Sequence, residues 1–156
     1  VQTMQWLETK IPPPIVMVLL GAAAYGVAPL LPVLSFEFAL RTTLAIALAL
    51  AGLALNILPA LAFLRAGTTF NPLRPASATS LVTSGIYRHT RNPMYLGDSV
   101  ILLGWALCLG NAAAFVAVPA FVRYITRFQI RPEERHLSAR FPEAYASFCK
   151  RTRRWL

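Results

Sequence analysis

Acidic residues are scarce in this chain. Six Asp and Glu stand against fifteen Lys and Arg among 156 residues, and charged side chains of both signs make up only 13% of the total. A soluble domain carries about 25% charged residues, so this chain is poor in the groups that keep a surface in water. Cysteine is scarce too. Cys108 lies in an apolar run and Cys149 in a basic tail, which gives no disulfide framework. His89 and His136 have no ligand-like spacing, so no zinc site or other metal is expected. No glycine-rich turn follows a strand-like run and no strand–helix alternation is present, which excludes a Rossmann-type cofactor site. Internal repeats and low-complexity tracts are absent. The first apolar run lacks a basic lead-in and a small-residue cleavage site, so no cleavable signal peptide is expected.

What is abundant is apolar surface. Hydrophobic residues make up 56% of the chain, and the net charge is +9. A basic balance can mark a nucleic-acid binder. Here the few charges leave long apolar runs intact, and Lys and Arg gather at the cytoplasmic edges of membrane proteins. The composition points to a membrane chain, with the lipid bilayer and not nucleic acid as its partner.

Three stretches carry no charge: Ile11 to Phe36, Thr42 to Leu64 and Ser99 to Val122. About 20 apolar residues cross a bilayer as helix, so the first two read as one span each. Pro12-Pro13-Pro14 suits a helix start, and Pro29 and Pro32 end or kink the first span. The third stretch could be one span, or a hairpin running Pro93–Leu109, turning at Gly110-Asn111 and returning along Ala112–Phe128. Gly-Asn is a good turn pair. With four spans, Lys10, Arg65, Arg74, Arg88, Arg91, Arg127 and the later basic residues share one side, and only Arg41 falls on the other. With three spans the basic residues split across both faces. The positive-inside rule therefore selects four spans with both termini cytoplasmic.

The fold expected is all-α and integral to the membrane: four transmembrane helices, the last two a hairpin, then short cytoplasmic amphipathic helices. Residues 1–64 form the first two spans and residues 65–156 a catalytic, cofactor-binding region with the hairpin at 93–128. The cytoplasmic loop Arg65–Asn92 includes Thr68-Thr69-Phe70-Asn71-Pro72 and is long enough to be functional or disordered. Arg131-Pro132-Glu133-Glu134 reads as a helix start, with proline in the first turn and an acidic pair at the positive end of the dipole. Phe141-Pro142-Glu143 starts another, with Tyr145 and Phe148 on one face. Lys150 to Trp155 reads as an interfacial anchor.

Asp98, Arg123 and Arg127 are ionisable residues at or within the expected spans. Such charges face a bundle interior or a cavity. Asp98 and Arg127 sit at similar depth, so they could line a polar pocket at the cytoplasmic mouth or pair to hold the hairpin. Arginines there could also snorkel to headgroups, the better reading for Arg123.

The run Gly85-Ile86-Tyr87-Arg88-His89-Thr90-Arg91-Asn92-Pro93-Met94-Tyr95-Leu96-Gly97 follows Leu81-Val82-Thr83-Ser84 and precedes Glu133-Glu134-x-x-Leu137. Together these motifs, from about Thr68 to Trp155, resemble the isoprenylcysteine carboxyl methyltransferase superfamily, which includes phospholipid methyltransferases and bacterial membrane methyltransferases. The resemblance implies an S-adenosylmethionine-dependent methyltransferase of the bacterial inner membrane or its equivalent. Its acceptor would be lipophilic: a lipid, a prenylated molecule or another hydrophobic small molecule. It implies that Leu81 and Val82 line the cofactor site with backbone groups, Tyr87 and Tyr95 with rings, that Asn92 and Pro93 close it, and that Arg91 is among the cofactor-binding residues. Glu133 would hydrogen-bond the cofactor, and Glu134, or Arg127 with Arg131, would orient the acceptor.

Each residue has a plainer reading. Tyr87 and Tyr95 could be interfacial aromatics, Arg88 and Arg91 topology signals, and Glu133 and Glu134 a helix start. Two positions depart from the superfamily pattern. Asn92 stands where a histidine is usual; it still donates and accepts hydrogen bonds but does not titrate near neutral pH. Gln129 stands where isoprenylcysteine methyltransferases place an arginine thought to hold the accepting carboxylate, which weakens the case for a prenylcysteine carboxylate acceptor. The alternatives are a reductase-like relative binding NADPH, or a non-catalytic membrane subunit that retains the fold.

Overall fold

The computed structural model describes residues 8–65 and 81–156. Six α-helices follow in order: α1 (Pro13–Val27), α2 (Arg41–Arg65), α3 (Pro93–Leu109), α4 (Ala117–Ile125), α5 (Arg131–Arg140) and α6 (Pro142–Arg151). Among the described residues there is one isolated bridge, Ser35 with Asn111, and no strand. The loop motif Thr68 to Pro72, with Arg74, lies outside the described residues.

Helix α1 starts at the proline run, with Pro12 extended at the cap. It is shorter than the uncharged stretch that contains it. After Val27 the chain tightens into two single 3-10 turns, Ala28–Leu30 and Pro32–Leu34. Pro29 and Pro32 have no N–H to continue an α-helix. Helix α2 runs 25 residues with Pro59 buried inside it. Pro13–Leu30 and Arg41–Arg65 are long and apolar enough to cross a membrane, yet most of each faces outward. Leu19, Leu30, Val33 and Leu50 are all more than half exposed. A soluble core helix has the opposite pattern, so the chain is membrane-associated.

Helices α2 and α3 form the closest pair. A Cβ placed on Gly52 would lie 2.6 Å from the Gly97 carbonyl oxygen, and one on Gly104 would lie 2.8 Å from the Ala45 carbonyl oxygen. Small residues thus let the two backbones touch. Within this contact Asn56 Nδ2 donates to Asp98 Oδ1 at 3.1 Å.

At the far end, Gly110 caps α3 in the left-handed region (φ 62°, ψ 35°), its N–H reaching the carbonyls of Ala106 and Leu107. Glycine meets that conformation without steric cost. Asn111 is almost wholly buried and accepts the N–H of Ala113 on its side-chain oxygen. Its amide donates to the carbonyls of Ala28 and Leu31, tying this turn to the end of α1. The following helix packs back against α3.

From Ala112 onward the chain is helical without a break to Arg140, but its winding changes. A 3-10 turn (Ala112–Val116) leads into α4, a π turn (Thr126–Ile130) follows, and α5 continues directly. The expectation of a fresh helix start at Arg131 is therefore corrected: Pro132 sits just past a π turn inside a continuing helix. A π turn loosens the i→i−4 ladder, so a proline fits there. Helix α6 does start at Pro142, with Tyr145 and Phe148 on its buried face.

Candidate functional site

Two carboxylates at the start of α5 organise the site, and they differ in surroundings. Glu133 is 6% exposed. Tyr95, on the first turn of α3, donates its hydroxyl to Glu133 Oε1 at 2.5 Å. Gln129, one turn before Glu133, donates Nε2 to the same oxygen at 3.1 Å. Burial pushes the Glu133 carboxyl from 4.5 up to about 8; the two hydrogen bonds pull it back, and the nearby Glu134 charge adds a further rise. Gln129, the position of the expected arginine, thus supplies a neutral donor to a buried carboxylate.

Glu134 faces an open cleft of about 880 Å³ lined by Arg91, Arg131, Arg135, Tyr145, Cys149 and Arg154, among others. That volume lies within the roughly 300–1,000 Å³ of small-molecule sites. Arg154 grips Glu134 in bidentate fashion, Nε at 2.9 Å and Nη2 at 2.8 Å. Arg91 Nη1 lies 3.5 Å from the same carboxylate and also bonds the Tyr145 hydroxyl at 3.3 Å. Hydrogen bonding to Glu134 holds the Arg154 guanidinium above its usual range, and burial pushes the Tyr145 phenol up. The Arg91 Nε is buried with no hydrogen-bond partner.

The tail read as an anchor turns into the site. The Arg91 N–H donates to the Arg153 carbonyl at 3.0 Å, and Asn92 Nδ2 to the Arg154 carbonyl at 2.8 Å. Trp155 Nε1 reaches Thr126 Oγ1 at 3.3 Å. The tail is therefore strapped over the loop that precedes α3, and Asn92 does this tying by hydrogen bonding alone.

Leu81, Val82 and Tyr87 form an apolar cluster with Phe63 of α2, Leu137 of α5 and Tyr145 and Phe148 of α6. The Tyr87 ring meets Phe63 edge-on at 5.7 Å, and burial raises its hydroxyl well above the usual phenol range. Pro93 is buried at the first turn of α3. Of the residues expected to orient an acceptor, Arg131 and Glu134 line the cleft while Arg127 does not. Arg127 pairs with Glu8 at 3.1 Å. Of the two readings open for Asp98 and Arg127, a shared pocket or a pair, the pair is not formed, because Asp98 turns toward Asn56 on α2. Arg123 is exposed. Sequence reasoning missed Glu8, Asn56 and Arg154; only the basic and aromatic character of the tail hinted at the last.

The sequence profile of a family described as phospholipid methyltransferase matches residues 40–144. The chain is 43% identical over 63 residues to an uncharacterised protein of Haemophilus influenzae, covering 40% of this chain and all of that protein. It is 31% identical over 96 residues to the protein-S-isoprenylcysteine O-methyltransferase of Schizosaccharomyces pombe, covering 58% of this chain and 39% of that enzyme. No solved structure matches. The profile spans more than half of the chain, including Tyr95, Glu133 and Glu134 with the loop and helices that hold them, and the chain belongs to the phospholipid methyltransferase family.

Proposed function

We propose that this chain is an S-adenosylmethionine-dependent methyltransferase that methylates a lipophilic acceptor at the cytoplasmic face of a membrane. The observation that carries the reading is the convergence at α5. Buried Glu133, held by Tyr95 and Gln129, is the sequence neighbour of Glu134, and Glu134 lines a cleft edged by Arg91, Arg131 and Arg154.

The residues fit the proposed donor. Its amino-acid end carries an ammonium and a carboxylate, which suit Glu133 or Glu134 on one side and the cleft arginines on the other. The unpartnered Nε of buried Arg91 is a donor without an acceptor, as expected beside an anionic ligand group. Leu81, Val82 and Tyr87 pack in one apolar cluster with Tyr145, which lines the cleft, and Tyr95 holds Glu133; in this reading they back the donor site with apolar and aromatic groups. When bound, the donor supplies an electrophilic methyl on a sulfonium. The chain's part is to hold the acceptor in line and keep water out. Arg131 and Glu134 orient the acceptor. Glu133, poised near neutral pH, is suited to meet a cation or to take its proton.

The membrane arrangement proposed with this function has four spans: α1, α2, α3 and the helical stretch from Ala112 to Phe128, the last two joined at Gly110-Asn111. The distribution of basic residues supports it. Arg65, Arg91, Arg127, Arg131 and Arg154 fall with the site, and Arg41 falls at the other end. A lipophilic acceptor then enters from the bilayer and the donor from the cytosol.

The test is calorimetric titration of the detergent-purified protein with S-adenosylhomocysteine. Wild type is expected to bind, and Glu133→Ala and Tyr95→Ala to bind weakly or not at all. Absence of binding by wild type overturns the reading.

A further inference from the structure

The carboxylates of α5 hang from a helix that has just passed through a π turn and a proline, both sources of bending. Something has to fix the angle at which α5 leaves α4. Pro132 has no N–H, so the Phe128 carbonyl, four residues back, loses its normal helical partner. That carbonyl receives instead the N–H of Thr9, at 3.0 Å, from a segment more than a hundred residues away in sequence. Thr9 holds a φ of 57° to make this contact, a left-handed conformation uncommon for a β-branched residue. Its hydroxyl donates to the Glu8 carbonyl at 2.8 Å.

The Glu8 side chain spans the same bend. One carboxylate oxygen accepts from Arg127 Nη1 at 3.1 Å, within the π turn, and the other from Arg135 Nη2, two turns along in α5. The carboxylate is only 14% exposed. A backbone bond at Phe128 and an ionic bridge from Arg127 to Arg135 therefore cross one junction from the same short segment. Without Glu8, the Arg127 and Arg135 guanidinium groups would lose the carboxylate that they share across the bend.

We infer that Glu8 and Thr9 act as a splint that sets the direction of α5 and so positions Glu133 and Glu134. This rests on the reading of those two carboxylates as site residues. Glu8 and Thr9 are positioning residues: neither lines the cleft, and they act through the helix they hold.

The experiment measures amide hydrogen exchange along the whole chain and S-adenosylhomocysteine affinity in the same preparations. The proteins are wild type, Glu8→Gln, Glu8→Asp and Thr9→Pro. In Glu8→Gln and Thr9→Pro, exchange is expected to quicken within residues 126–140 and stay unchanged in α2 and α3. Affinity should fall on the order of fivefold, the low end of coupling between separate sites. Glu8→Asp, which keeps the charge, should recover most of both. Unchanged exchange in 126–140 in both variants overturns the splint. So does a uniform rise throughout the chain, which would make Glu8 a general stabiliser. Faster local exchange with unchanged affinity overturns the positioning role. If wild type itself does not bind, the proposed function falls, and the exchange pattern alone still decides whether the splint exists.

Discussion

Arg154 and Glu134 form a two-point ion pair, with contacts of 2.9 and 2.8 Å, that folds the end of the chain over the cleft. Removing the Glu134 charge leaves Arg154 nothing to grip. Both side chains are partly in water, at 19% and 37% exposure, so Glu134→Gln should lower stability by no more than about 1 kcal/mol. Its effect on the tail should be larger. Limited trypsin digestion read by mass spectrometry should show faster cleavage at Arg153 and Arg154 than in wild type. Calorimetry should show S-adenosylhomocysteine binding weakened roughly tenfold, the scale of a lost charged hydrogen bond. Unchanged cleavage would show that the pair does not hold the tail.

Glu133 gives the protein a pH dependence opposite in sign to that of a salt-bridged carboxylate. Burial raises its carboxyl from 4.5 to about 8, so between those values the folded state holds a proton that the unfolded state has released. Its contribution to stability is full below pH 4.5 and is lost as pH rises through about 8. Thermal melts in detergent should show a midpoint that declines across this window. Glu133→Gln, which keeps the shape and cannot ionise, should flatten that part of the profile.

Two glycines separate contact from helix propensity. Gly52→Ala drives a methyl to 2.6 Å from the Gly97 carbonyl oxygen and 2.7 Å from Ile101 Cγ1, so α2 and α3 must part. A loss of about 1–3 kcal/mol is expected. Gly26→Ala on α1 meets nothing within 4 Å and should be neutral or gain up to about 1 kcal/mol from the lower entropy cost of alanine. Denaturation of both variants in the same detergent decides this, and similar destabilisation by both would be inconsistent with the close contact.

Cys149 lines the cleft beside Arg91 and Tyr145, whereas Cys108 is exposed on α3. In a Cys108→Ser background, maleimide labelling of Cys149 should slow in the presence of S-adenosylhomocysteine. Labelling at the same rate with and without it would place the ligand elsewhere.

The helices were largely legible in the sequence because their signals are local. Charge marks the ends of α2, and the observed Arg41–Arg65 differs by one residue at each end from the uncharged run Thr42 to Leu64. Gly110-Asn111 announces its turn through glycine's access to the left-handed region, and α3 runs from Pro93 to Leu109 as expected. Proline marked the end of α1, but the length of its 3-10 tail was not readable, since the choice between α and 3-10 winding depends on what Asn111 bonds across the fold. The expected restart at Arg131 failed for a related reason: Pro132 is a start signal unless a neighbour serves the carbonyl it abandons, and Thr9 does so.

The site was legible only where the superfamily pattern had already joined distant segments. It brought Tyr95 and Glu133 into one site, and they are hydrogen-bonded. The partners it does not carry went unseen. Asn56 with Asp98, Arg154 with Glu134 and Glu8 with Arg127 are side-chain pairs separated by 42, 20 and 119 residues. No periodicity or spacing rule links residues so far apart, and only the packing of the helices decides which polar group meets which.

The unbroken helical backbone from Ala112 to Arg140 joins the segment proposed to lie in lipid to the two carboxylates at the start of α5. Its companion α3 has 17 residues, about 25 Å of helix, a little short of the ~30 Å hydrocarbon core it is proposed to cross. A mismatch of that sign is relieved by local thinning of the bilayer and by snorkelling of the flanking residues. Any displacement of α4 as the bilayer thins or thickens is passed, as through a lever, to Glu133 and Glu134. In the four-span arrangement, acyl-chain length thereby becomes a variable of the reaction, and the same protein reconstituted in short-chain and long-chain lipids is expected to turn over at different rates.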